Sequence, residues 1–180
     1  MHPKDPSTAP LPLRWVEDLI NTRSLVYGTD DLADAQTLRR WFVERDLLAA
    51  GHAVAEADLH RAIRLREGLR ALLIGREEPG VDVGDLDRLG RELPLVVRSA
   101  GGCARLVPGA PESAEAALAR LLAIVVTATA DGTWGRLKAC RNPGCRWAYY
   151  DHSRNRSRTW CSMETCGNQA KVRAFRSRSG

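Results

Sequence analysis

Cys140-Arg-Asn-Pro-Gly-Cys-Arg-Trp-Ala-Tyr-Tyr150 and, after a polar loop, Cys161-Ser-Met-Glu-Thr-Cys-Gly-Asn168 decide how this chain is read. They form two C-x4-C pairs in a tail crowded with Arg and Lys. Cys140, Cys145, Cys161 and Cys166 are four soft ligands on paired turns, the donor set of a closed, tetrahedral structural Zn²⁺ site. Four thiolates close the shell and leave no open position for a substrate, so one structural zinc is expected and a catalytic one is not. Between the first pair, Arg141-Asn-Pro-Gly144 supplies a tight turn whose N–H groups can point at sulfur. Trp147–Tyr150 reads as a short strand, with Trp147 and Tyr149 on one side and Ala148 and Tyr150 on the other. These aromatics are expected to be core. Gly167 permits a close turn, and Asn168 is expected to cap a helix over 169–178, with Val172 and Phe175 packed and Lys171, Arg173, Arg176 and Arg178 in solvent. Hairpin plus helix around one metal is a treble-clef-like finger. His152, in the return loop, is a lesser candidate ligand.

Charge sets this tail apart. From Arg136 to Gly180 there are eleven basic and two acidic residues; the other 16 basic and 20 acidic residues leave positions 1–135 net negative. An acidic body with a basic tail points to a polyanionic partner, above all nucleic acid. Arg154, Arg156 and Arg158 alternate, so in an extended segment they would face one way as a phosphate-contacting row. Lys171 and Arg173, with Arg176, are the candidates on the last helix.

Upstream the pattern is helical. Residues 1–12, with four prolines, read as a flexible lead-in. Trp15, Val16, Leu19 and Ile20 line a first helix; Asp34 caps a second carrying Leu38, Trp41 and Phe42. A third spans about 56–74, with Leu59, Ile63, Leu69, Leu72 and Leu73 inward, and ends at Gly75, Pro79 and Gly80. Leu86, Leu89 and Leu93 mark a short helix. Residues 94–107 read as two strands around Gly101-Gly102. Ser113 then opens a helix to about Ala130, burying Leu118, Leu121, Leu122, Val125 and Val126, and Asp131-Gly132 stops it. The fold class is therefore mainly α with a small β-hairpin: a helical domain over 13–133 and a four-cysteine finger over 134–178. No catalytic constellation stands out, and the chain reads as a non-enzyme. The acids at 30, 31, 34, 44, 46, 77, 78 and 82 read as solvated charge. Cys103 reads as a small residue in a strand or loop. No apolar run approaches the ~18–20 residues of a membrane span, and no secretory signal opens the chain. Metal-type cysteine pairs without such a signal fit the reducing cytoplasm.

The tail resembles the CGNR zinc-finger family, through the two cysteine pairs, Asp151-x-Ser-Arg-Asn-Arg-Ser-Arg158, Trp160-Cys-Ser-Met163 and Cys166-Gly-Asn168. Leu19-Ile-Asn-Thr-Arg23, Leu38-x-x-Trp41 and Leu65-Arg-Glu-Gly-Leu-Arg-Ala-Leu-Leu73 look like the ABATE domain that precedes such fingers. The resemblance implies a stress-induced transcription regulator that binds DNA. One position departs: where the family has Arg after Cys-Gly-Asn, this chain has Gln169, which donates a hydrogen bond but carries no charge; Lys171 and Arg173 are the candidates to replace it. A sensing or oligomerisation role suits the helical domain, whose interior reads equally as a small-molecule cavity or as a packed core, so its ligand-binding residues are unknown. Two rival readings stay open: a zinc-stapled adaptor for an acidic protein, and an enzyme with its site in the helical domain.

Overall fold

The computed structural model describes residues 8–176. The lead-in before Thr8 and Arg178 at the far end lie outside the described residues.

Helix α1 (Leu13–Ile20) buries Val16, Leu19 and Ile20 completely. A two-residue pair, β1 (Arg23–Ser24) and β2 (Thr29–Asp30), follows, turning through Gly28 at φ 65°. Helix α2 (Ala35–Val43) starts at Asp34, whose carboxylate accepts from the Thr37 N–H at 2.7 Å while Thr37 Oγ1 accepts from the Asp34 N–H at 3.1 Å. This reciprocal cap satisfies two donors that a helix start leaves open. Helix α3 (Glu56–Gly75) crosses the centre of the molecule with Leu59, Leu65, Leu69 and Leu73 buried. Helix α4 (Gly84–Glu92) packs on α3 through Leu86, whose Cβ would lie 2.9 Å from any side chain placed at Gly68.

Strands β3 (Leu95–Ala100) and β4 (Cys103–Pro108) pair antiparallel in the expected hairpin. Gly101 and Gly102 both take positive φ, at 59° and 77°, as a two-residue turn matched to strand twist requires. Cys103 is exposed at its tip. Helix α5 (Ala114–Ala130), capped by Ser113 Oγ, buries Leu118, Leu121 and Val125. Val126, expected inside, is 46% exposed: it falls just off the buried stripe.

The chain then enters a 3₁₀ turn (Trp134–Arg136), β5 (Leu137–Ala139), β6 (Ala148–Tyr150), a π-helical turn (Met163–Gly167) and α6 (Asn168–Arg176). The partner of the aromatic strand β6 is β5, upstream of the first cysteine pair. Alternation along β6 is as the pleat demands. Ala148 and Tyr150 join the same apolar core as α1, α3 and α5, together with Trp134 and Leu137. Tyr149 faces the other way, into the cysteine cluster, with Trp147 and Trp160 packed beside it. The architecture is a helical body with small two-stranded pairs and a treble-clef-like finger built onto it.

An ionic cluster around two buried arginines ties the body together. Arg66, 1% exposed, holds Asp30 with two hydrogen bonds of 2.7 and 2.8 Å and donates to Thr22 Oγ1 and Glu67. Arg70 pairs with Glu67 and donates to the Ile20 and Arg23 carbonyls. Asp30 thus anchors β2 instead of lying among solvated acids. Its carboxyl sits below the ordinary range: burial acts to raise it, but hydrogen bonds from Arg66 and from the Leu32 N–H outweigh that.

Candidate metal centre and nucleic-acid interface

The four sulfurs converge. Cys140, Cys145, Cys161 and Cys166 are all buried, and their Sγ atoms lie within 4.8 Å of one another. Cys145 to Cys161 is 3.6 Å and Cys161 to Cys166 is 3.9 Å. Four sulfurs about 2.3 Å from a zinc ion would stand about 3.8 Å apart, so the cluster has the size and the donors of a structural zinc shell. Electrostatics agrees. The Cys140 thiol is pushed down by hydrogen bonds from the Cys145 and Cys161 thiols, which are themselves held up by their contact with Cys140. One negative charge is easily accommodated there; four require a cation. The cysteines are positioned to bind one metal ion, and zinc would supply a closed structural shell.

The turns around the sulfurs act as expected. The Cys145 N–H bonds to the Asn142 carbonyl at 2.8 Å, closing the Arg141–Gly144 turn. Backbone N–H groups of Cys161 and Asn142 reach the Cys140 sulfur, and that of Trp147 the Cys145 sulfur. Asn142 Nδ2 lies 3.4 Å from the Cys166 sulfur and 3.1 Å from Gln169 Oε1. Gln169 therefore serves this centre as an acceptor, a part the family's Arg cannot play. Gly167 is needed for close approach, since a Cβ there would fall 2.8 Å from Met163 Sδ and 3.4 Å from Trp160 Cδ1.

Several expectations about the tail need correcting. Asn168 does not cap: it is already in α6 and donates to the Glu164 carbonyl, while Ser162 caps the preceding turn. Val172 and Phe175 are 48% and 67% exposed, because α6 projects from the finger with no residue buried. His152 bonds to the Thr8 carbonyl and stacks edge-on to Tyr150, away from the sulfurs.

The arginine row is not extended. Ser153–Arg156 form a turn, with the Arg156 N–H bonded to the Ser153 carbonyl and Arg156 at φ 50°. Arg158 folds inward: its guanidinium donates to the Trp160 and Cys161 carbonyls and lies 4.8 Å from the Tyr149 ring centre, and its N–H bonds to Asp151. Only Arg154 and Arg156 of the three are exposed.

Other basic residues of the tail are engaged too. Lys138 Nζ meets Asp151 at 2.8 Å and the Arg156 and Arg158 carbonyls. Asp151 has no exposed surface; burial acts to raise its carboxyl, yet hydrogen bonds from Lys138, Ser153 and Arg158 hold it well below the ordinary range. Arg136 donates to the Asp151 and Ser153 carbonyls. Arg141 and Arg146, each following a cysteine, pair with Glu77 and Glu78 at the end of α3. Those two acids, read as solvated, dock the finger on the body. No local sequence signal marks that pairing. Lys171, Arg173 and Arg176 are exposed on α6, with Arg173 Nη2 3.5 Å from Asn142 Oδ1.

Among the described residues, no helix is long and apolar enough to cross a membrane. Residues 13–132 match the ABATE family, described as "Putative stress-induced transcription regulator", and residues 136–179 match the CGNR zinc finger. No curated protein matches the chain.

Proposed function

Since this chain belongs to the ABATE family, we propose that it is a cytoplasmic, DNA-binding transcription regulator without enzymatic activity, whose finger holds one structural zinc. Its helical domain, 13–133, senses or oligomerises; its finger, 134–178, carries the DNA contacts. The observation that supports this best is the sorting of the tail's charge. Lys138, Arg146 and Arg158 turn to acids and carbonyls and Arg141 is paired with Glu77 at the surface, while Lys171, Arg173 and Arg176 stand exposed on a helix anchored at the cysteine cluster. Arg154 and Arg156 add to that exposed set. A positive helix fixed at one end by a metal shell suits contact with phosphates. Lys171 and Arg173, near the start of that helix, are the candidates for reading base edges, and Arg173 and Gln169 contact the Asn142 side chain.

The exposed Val172 and Phe175 favour a second reading, an adaptor that presents the α6 face to a protein. Fluorescence anisotropy of the zinc-loaded chain with random-sequence duplex, across a salt series, separates the two. The regulator reading expects binding that falls steeply with salt. A folded, zinc-loaded chain with no salt-dependent duplex binding overturns it in favour of the adaptor.

A further inference from the structure

A cleft of about 570 Å³ opens where the end of α3 meets the finger. Arg76 and Glu77 line it from the body; Lys138, Arg141, Arg156 and Arg158 line it from the finger. Five basic residues thus line it against one acid. Lys138 is matched from behind by Asp151 and Arg141 by Glu77, which still leaves an excess of three positive charges among the described residues. Arg76 spends its N–H groups on the Trp134 and Leu137 carbonyls. Such partners satisfy the donors and fix the guanidinium, but carry no charge to neutralise it. The Arg156 side chain reaches over Gly135 at the rim, 3.6 Å from where a Cβ there would stand. A concave surface lined by one sign of charge concentrates its field on an anion inside it. The volume lies within the range of small-molecule sites.

We propose that this cleft binds a phosphate-bearing small molecule of nucleotide size, held by Arg76 and Arg156 at the joint between body and finger. A mobile phosphate and a DNA-backbone phosphate share this chemistry, but a recess between two parts of one chain favours the mobile one. The proposal needs no DNA binding and stands apart from the regulator reading.

The test uses the full, zinc-loaded chain with adenosine 5′-monophosphate and inorganic phosphate as probes, by calorimetry and amide chemical shifts, at ionic strength matched with NaCl. Saturable binding is expected, with shifts at 76–77, 138–141 and 156–159. Arg156→Glu should weaken it at least tenfold, Arg156→Ala should weaken it less, and Arg98→Ala, on the distant hairpin, should leave it unchanged. Zinc content and the amide spectrum verify that each variant is folded; should Arg156→Glu fail to fold, Arg156→Ala decides. No saturable binding beyond the NaCl control, or equal affinity in wild type and Arg156→Ala, overturns the proposal. So does a response at these amides to a short duplex and to neither free probe, which would make the cleft a seat for backbone phosphate.

Discussion

The side chain of Asn21 pairs with Ala148 as a neighbouring strand would: Nδ2 donates to the Ala148 carbonyl at 2.9 Å and Oδ1 accepts from the Ala148 N–H at 2.8 Å. Strand β6 is hydrogen-bonded to β5 on its other edge, so one residue at the end of α1 completes it. Replacing Asn21 with Leu should leave a buried N–H and carbonyl without partners. A loss of about 2–6 kcal/mol is expected, at about 1–3 per orphaned group. Urea unfolding of the zinc-loaded protein measures it; a loss below about 0.5 kcal/mol would show that water takes over both bonds.

Cys161→Ser removes one of four soft donors and should reduce zinc content from one per chain to a small fraction. Because Leu137, Ala148 and Tyr150 belong to the body's core, loss of protection should begin beyond them. Hydrogen exchange is expected to rise over 140–146 and 159–176 while 137–139 and 148–150 stay protected. Uniform protection in the metal-free protein would contradict a structural role for the metal.

The Asp30–Arg66 pair makes stability depend on pH. Asp30 titrates below its ordinary value of 3.8 in the folded protein, so its contribution is complete above that value and disappears as pH falls through the lower, folded one. Asp30→Asn should destabilise by about 2–3 kcal/mol at pH 7, less than a fully buried pair because the Asp30 side chain is 34% exposed. The gap between variant and wild type should close below pH 4. A gap that persists to pH 2 would mean the loss comes from packing.

Arg154 and Arg158 should behave differently although they sit four residues apart. Neutralising Arg154 and Arg156 together should reduce the salt slope of duplex binding by up to about 1.8, at about 0.9 per phosphate contact. Arg158→Ala should leave that slope nearly unchanged and lower the thermal midpoint, because its guanidinium braces the Trp160 and Cys161 carbonyls. The reverse pattern would restore an outward row.

Gln169→Arg puts the family's charge at this position. It removes the acceptor that Asn142 uses, at a cost of about 1 kcal/mol in finger stability. It should also steepen the salt slope of duplex binding by about 0.9. An unchanged slope would place position 169 off the phosphate path.

Much of this was legible. Local signals act over a few residues, so the Asp34 and Ser113 caps, the Gly101-Gly102 turn, the cysteine pairs and the two-sided β6 all follow from spacing. What could not be read depends on residues far apart. Arg158 looks like Arg154 and Arg156 until Tyr149 and the Cys161 carbonyl are placed beside it. Glu77 and Glu78 look solvated until Arg141 and Arg146 arrive. Val172 and Phe175 follow a packing period on a helix that, among the described residues, buries none of its own. Alternation gives orientation only where the backbone is extended, and the left-handed Arg156 breaks it.

The two-sided burial of β6 bears on heredity. Grafted onto a foreign body, this finger would carry Ala148 and Tyr150 into water and leave the Ala148 backbone without the amide that completes it. A body from another lineage would need an Asn at the matching helix end and acids to receive Arg141 and Arg146. Exchanging the finger at Thr133 is therefore expected to succeed only where the new body carries both, since the joint's contacts are shared between the two parts.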